Sequence, residues 1–137
     1  MDKRGTLIAI ADEDPHLREL YGLELSDRGY EVVAVSDLES TQELIASCKP
    51  DLVLLDPYDG NAYRWDVLAD IRGRNYEVPI LICVPFEMGT DYPHGRYADA
   101  CIIKSFDVSG LVSKVQLLLG RKAPGRVPVE DRSIRKP

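Results

Sequence analysis

Residues 50–56, Pro-Asp-Leu-Val-Leu-Leu-Asp, decide the fold. Four aliphatic residues stand together without polar alternation, closed by Pro50-Asp51 on one side and Asp56 on the other. A strand with one wet face alternates apolar and polar residues. A strand covered on both faces does not, and such strands belong to parallel sheets flanked by helices. On this reading Asp56 stands at the carboxyl end of a buried central strand.

The same grammar recurs on either side. Leu7–Ala11, Val32–Val35, Ile80–Val84 and Cys101–Ile103 are apolar runs bounded by turn residues, and Ile-Leu-Ile-Cys-Val again lacks alternation. Helical patterns lie between them. Asp14 before Pro15 is a helix start, because a carboxylate caps free N–H groups and proline fits the first turn. Leu17, Leu20 and Tyr21 mark its inner face and Gly29 its end. A second helix follows Asp37. A third is predicted from about Tyr63 to Arg74, with Asn61 as its cap and Trp65 packed partly against the sheet edge. The last starts near Asp107 and turns Leu111, Val115 and Leu118 inward. Strand-helix alternation of this kind builds a doubly wound α/β sheet.

Two segments break the pattern. Phe86 to Tyr97 carries Gly89, Pro93 and Gly95 where a helix should cross over, which predicts a short or irregular helix there. From Ala123 onward three prolines and no hydrophobic period predict a disordered tail. The expected organisation is one folded domain over residues 1–121 and a basic tail or linker stub over 122–137.

Composition narrows the function. At 137 residues and 45% hydrophobic content, the chain can bury one core unaided. The tail from residue 121 holds six of the 17 basic groups and two of the 23 acidic ones, so the body carries 11 against 21. An acidic body repels phosphate backbones, which argues against direct nucleic-acid binding. It also suits a cation. No apolar stretch approaches the roughly 20 residues of a membrane span. The odd set Cys48, Cys83 and Cys101 lacks CxxC spacing and points to a reducing, cytoplasmic setting.

In an open α/β sheet the site lies beyond the carboxyl ends of the strands. Asp12 and Glu13 follow the first strand and Asp56 ends the third, so a 2-1-3-4-5 order brings them from adjacent strands. Three gathered carboxylates repel one another, and Mg²⁺ relieves that repulsion with the oxygen ligands it prefers. Lys104, ending the fifth strand, reaches the same crevice, where an ammonium can neutralise a phosphoryl group. The set describes nucleophilic attack by Asp56 on a phosphoryl donor, giving an aspartyl phosphate.

The stretches LIAIADEDPHLREL, PDLVLLD, DVLADIR, VPILI and ADACIIKSFD, in this order and spacing over roughly residues 5 to 121, resemble the receiver domain of two-component response regulators. The resemblance implies a flavodoxin-like five-stranded sheet of order 2-1-3-4-5. It makes Asp56 the phosphoacceptor, Asp12 and Glu13 the acidic pair around Mg²⁺, Tyr58 a metal ligand through its backbone carbonyl, and Lys104 the phosphate-contacting lysine. A sensor histidine kinase or phosphotransfer protein would be the donor, and a downstream protein or output domain the reader.

The departures from the family concentrate on the switch. Val84 stands where the family places Ser or Thr, Cys101 where it places a rotating aromatic, and Ser105 where proline follows the lysine. Gly60 and Tyr63-Arg64 replace the family's proline and Asp-Gly, with Asp59 serving the turn. Tyr58 and Phe86 fall where access of hydrolytic water is tuned, and their bulk suggests a slow-decaying phosphoryl state or a shielded pocket. Three readings follow: a phosphoacceptor with at most self-phosphorylation and slow autodephosphorylation, a phosphorylation-independent pseudo-receiver that binds partners, and a small Mg²⁺-dependent phosphatase. The last fits poorly, since such enzymes carry the nucleophile after the first strand and need a cap.

Overall fold

The computed structural model describes residues 5–74, 77–87 and 97–120. Within them the chain runs β1 (Leu7–Ala11), α1 (Pro15–Asp27), β2 (Glu31–Val35), α2 (Thr41–Cys48), β3 (Leu52–Leu55), α3 (Trp65–Gly73), β4 (Ile80–Val84), β5 (Ala100–Ile103) and α4 (Ser109–Gly120). The five strands form one parallel sheet of order β2-β1-β3-β4-β5. This is the expected doubly wound, flavodoxin-like architecture. Residues 88–96, which hold most of the predicted irregular crossover, lie outside the described residues, as does the tail from 121.

Every residue of β3 and β4 is buried, as their unbroken apolar runs require. Because successive side chains point to opposite faces, each strand feeds two cores. Ile8, Ile10, Leu52, Leu54, Leu81 and Cys83 meet Leu17, Tyr21 and Leu25 of α1 and Leu111, Val115 and Leu118 of α4. Ala9, Ala11, Val53, Leu55, Ile80, Ile82 and Val84 meet Ile45 of α2 and Val67, Leu68 and Ile71 of α3. Each fully buried Leu, Ile or Val contributes about 1.5–3 kcal/mol. The carboxyl ends of the strands are therefore held rigidly.

Local signals set the helix ends. Asp14 Oδ1 accepts the N–H groups of His16 at 3.0 Å and Leu17 at 3.4 Å, with Pro15 in the first turn. Gly29 leaves α1 at φ 100°, a conformation that needs glycine. Ser109 N–H is likewise held by Asp107 Oδ1 at 3.1 Å, at the start of α4.

The third helix begins at Trp65, within two residues of the expected start, but Asn61 does not cap it. The reason lies in the preceding loop: Tyr63 pairs with Tyr58 in an antiparallel bridge, and Arg64 N–H is tied to Pro57 carbonyl at 2.7 Å. Asp59 Oδ1 accepts the N–H groups of Asn61 and Ala62, each at 2.9 Å, which gives Asp59 the turn role expected of it. Among the described residues no helix is long and apolar enough to cross a membrane.

Candidate functional site

The sheet ladder itself delivers the site. Asp12 N–H bonds to Val35 carbonyl at 3.2 Å, Asp56 N–H to Ala11 carbonyl at 3.0 Å, and Lys104 N–H to Val84 carbonyl at 2.8 Å. Each residue therefore occupies the first position past its strand. Asp12 and Asp56 are 5% and 7% exposed. Lys104 Nζ lies 2.9 Å from Asp12 Oδ1 and 2.6 Å from Asp56 Oδ2, so one ammonium bridges two buried carboxylates.

The remaining contacts fix the orientation of these groups. Asp56 Oδ1 accepts Tyr58 N–H at 3.0 Å, and Asp12 Oδ1 accepts Asp14 N–H at 2.8 Å. Arg18 Nη1 donates to Asp12 carbonyl at 2.7 Å. The Tyr21 hydroxyl clasps the residue after Lys104, accepting Ser105 N–H at 3.1 Å and facing Ser105 carbonyl at 3.2 Å. Serine in place of proline supplies the N–H that this clasp uses.

Electrostatics follow from burial and pairing. Burial pushes the Asp56 carboxyl up, against hydrogen bonds from Lys104 and Tyr58 that pull it down. Burial alone would lower Lys104, but its bonds to Asp56 and Asp12 outweigh that and hold it above its ordinary value. Cys83 lies beneath the site, fully buried, and burial together with the charges of Asp12 and Asp56 raises its thiol far above the ordinary range. That protonated thiol is a packing group, not a nucleophile.

Of the residues singled out in the sequence, the structure gathers Asp12, Asp56 and Lys104. Glu13 does not join them. It is exposed where the chain turns outward into α1, and among the described residues no three His, Cys, Asp or Glu side chains converge as a ready metal cluster. The donor chemistry nevertheless fits a hard divalent cation. Asp12 and Asp56 offer only carboxylate oxygens, and Asp12 Oδ2 takes no hydrogen bond among the described residues.

Val84 is fully buried and Cys101 partly so, and both belong to the core that faces α2 and α3. Neither brings a hydroxyl. Above them stands an aromatic cluster that the sequence reading grasped only in part. Tyr58 and Phe86 are the bulky groups expected near the pocket, and their ring centroids lie 6.0 Å apart, edge to face. Tyr63 was missed as a member. Its ring centroid is 5.0 Å from that of Tyr58, 6.3 Å from that of Phe86 and 5.3 Å from that of Trp65, on which it stacks at 9°. The available signal was the close spacing of Tyr58, Tyr63 and Trp65 after the site aspartate.

Arg64 closes this loop over the neighbouring one, bonding Asp66 at 2.9 Å and Glu39 at 3.1 Å.

A family model for the response regulator receiver domain matches residues 8–116. The chain belongs to this family. The receiver domain is 29% identical over 119 residues to the response regulator MprA of Mycolicibacterium vanbaalenii, which covers 85% of this chain and 52% of that protein. It is 30% identical over 118 residues to RpaA of Synechocystis, a DNA-binding dual master transcriptional regulator, covering 83% of the chain and 49% of that protein. The chain thus spans about half the length of the curated relatives it matches. Among solved structures, TrrA of Thermotoga maritima in complex with Mg²⁺ and BeF is similar with a TM-score of 0.75 at 27% identity, covering 82% of this chain and 98% of that one. TrrA bound to the histidine kinase ThkA matches with a TM-score of 0.74 at 28% identity, covering 83% and 98%. Receiver domains are Mg²⁺-dependent signalling domains of two-component phosphorelays rather than classical enzymes, which sets the phosphatase reading aside.

Proposed function

We propose that this receiver domain accepts a phosphoryl group on Asp56. The observation that carries the reading is the buried Asp56 carboxylate paired with Lys104 at 2.6 Å, beside Asp12 at the carboxyl edge of the sheet. The donor is the phosphohistidine of a sensor histidine kinase or phosphotransfer protein. An Asp56 carboxylate oxygen attacks phosphorus, the O–P bond forms as the P–N bond breaks, and the electron pair leaves on the imidazole nitrogen, which takes a proton from solvent. Tyr58 N–H orients the carboxylate, and Lys104 neutralises charge on the transferred oxygens.

Asp12, Asp56 and the Tyr58 main-chain carbonyl would hold Mg²⁺, with Glu13 adding negative charge from the exposed side. Bound there, the ion supplies charge neutralisation between carboxylates and phosphoryl oxygens. Self-phosphorylation by small phosphoryl donors and slow autodephosphorylation belong to the same reading, since the aromatic cluster around Tyr58, whose N–H holds Asp56, would limit water there.

We put the domain boundary near residue 121, a reading supported by the end of α4 at Gly120 and of the family match at 116. Residues 122–137 then serve as a basic linker toward an output domain or downstream protein, as the greater length of the relatives suggests. The free cysteines favour a cytoplasmic location.

The test is incubation with acetyl phosphate and Mg²⁺ followed by intact-mass measurement. One phosphoryl group is gained by the native chain and none by Asp56→Asn. No gain from acetyl phosphate or a cognate kinase overturns the proposal. A second reading, a pseudo-receiver that binds partners without phosphorylation, draws on Val84 and Cys101, the switch positions without a hydroxyl or aromatic. It requires partner affinity unchanged by Asp56→Asn, and a tenfold shift removes it.

A further inference from the structure

The Tyr63 hydroxyl is buried and has no hydrogen-bond partner among the described residues. Folded proteins rarely leave such a group unsatisfied, and one that stays so calls for an explanation such as a functional role or a bound water or ion. The side chain is not free to escape to water. Its ring is stacked on Trp65 and flanked by Tyr58 and Phe86, while its backbone is fixed by the bridge to Tyr58 and by the bond from Arg64 N–H to Pro57 carbonyl.

This fixed phenol stands next to the residue that orients Asp56. Tyr58, which it pairs with, is the residue whose N–H holds Asp56 Oδ1. Burial raises the Tyr63 hydroxyl first, and the Asp56 carboxylate raises it next, so the two groups share one field. The nearby Val84 and Cys101 offer no hydroxyl. A phosphoryl group on Asp56 would bring strong acceptor oxygens into this pocket and would need donors beyond Lys104.

We infer that Tyr63, resting on the phosphoacceptor reading, donates its hydroxyl to a phosphoryl oxygen carried on Asp56. It is a phosphoryl-binding residue supplied by the loop between β3 and α3. The orphaned hydroxyl disfavours the unmodified state, and satisfying it favours the modified one. The stacked Trp65, first residue of α3, receives the resulting movement directly.

The test uses the full chain, beryllofluoride as the phosphoryl analogue, and fluorescence of Trp65, the one tryptophan present. Tyr63→Phe keeps the ring and removes only the hydroxyl. The expected result is a beryllofluoride midpoint weakened about tenfold or more, with the Mg²⁺ midpoint within about twofold and the thermal midpoint equal or higher, as follows from deleting an unpartnered buried group. An unchanged beryllofluoride midpoint overturns the inference, and so does a lower thermal midpoint, which would show that the hydroxyl has a structural partner. If the native chain neither responds to beryllofluoride nor takes up phosphate, the phosphoacceptor reading falls and this inference with it. If the native chain responds and Tyr63→Phe responds equally, only the role of Tyr63 falls.

Discussion

Lys104 Nζ lies 2.6 Å from Asp56 Oδ2, and the same ammonium reaches Asp12 Oδ1 at 2.9 Å. A single lysine from the edge strand thus bridges two buried carboxylates from the centre of the sheet. The pocket without a phosphoryl group is an ionic triad with one uncompensated negative charge. Any cation or phosphoryl group that enters must work against, or through, that lysine.

Lys104→Met should destabilise the fold by about 3 kcal/mol at pH 7, because it leaves two buried carboxylates facing each other without a counter-charge. The loss should shrink on acidification. Without Lys104, Asp56 loses its main downward influence and its folded-state value rises further above the ordinary 3.8. A raised carboxyl releases its stability penalty as pH falls through the folded value. Urea titrations at pH 7 and pH 5 check this, and an equal loss at both would contradict it.

Asp56 must be ionised to attack, yet burial holds its carboxyl above 3.8. The rate of phosphoryl uptake should therefore fall on acidification at a higher pH than an ordinary carboxylate would dictate. The same shift has a stability consequence. In the window between the ordinary and raised values the folded state keeps a proton that the unfolded chain has released, so stability declines as pH rises through it. Asp56→Asn removes this decline while Lys104 keeps Asp12, and it should be as stable as the native chain at pH 7, or more so by about 1 kcal/mol. Thermal melts of the two proteins at pH 7 decide the point.

The strands were legible because burial on both faces writes itself as an unbroken apolar run. Leu7–Ala11, Leu52–Leu55 and Ile80–Val84 have the bounds read from the sequence. Asp12, Asp56 and Lys104 were legible for the same reason, each being the first residue past such a run. The loop between β3 and α3 was not. Local pattern offered Asn61 as a cap, but the bridge between Tyr58 and Tyr63 fixes the chain there, and a cross-loop pairing leaves no periodic trace. Glu13 was drawn to the site by adjacency to Asp12 and by the resemblance, and the chain leaves it exposed beside the buried Asp12. The Tyr21 clasp joins residues 84 positions apart and had no sequence signal.

Arg72 binds α3 to the far strands. Its guanidinium donates to Tyr97 carbonyl at 2.8 Å and Val78 carbonyl at 2.9 Å and pairs with Asp99 at 2.9 Å, while Asp99 also accepts Ile80 N–H at 2.8 Å. Arg72→Ala strips a donor from two backbone carbonyls and a partner from Asp99, and should cost about 2–3 kcal/mol in chemical denaturation. Phosphoryl uptake at a temperature where the variant is folded should be unchanged, because these contacts lie at the entry ends of β4 and β5, opposite the strand ends that carry Asp12, Asp56 and Lys104.

Tyr21→Phe tests whether Lys104 needs its clasp. The phenol is held against both backbone groups of Ser105, immediately after the lysine, and burial raises its hydroxyl despite that bond. Removing the oxygen frees the loop but leaves the ring packed against Leu17 and Leu25 in the core, so the stability loss should be about 1–2 kcal/mol. The functional loss should be larger. A lysine displaced from its line to Asp56 neutralises the incoming phosphoryl oxygens less well, and uptake from acetyl phosphate should slow on the order of tenfold. Raising pH through the Lys104 range separates the two effects. The native lysine, held above its ordinary value by two carboxylates, stays charged and retains its stabilising contribution until pH exceeds that raised value. In Tyr21→Phe a loosened lysine should lose its proton at lower pH. Identical alkaline limbs in the two stability profiles would show that the clasp does not position Lys104.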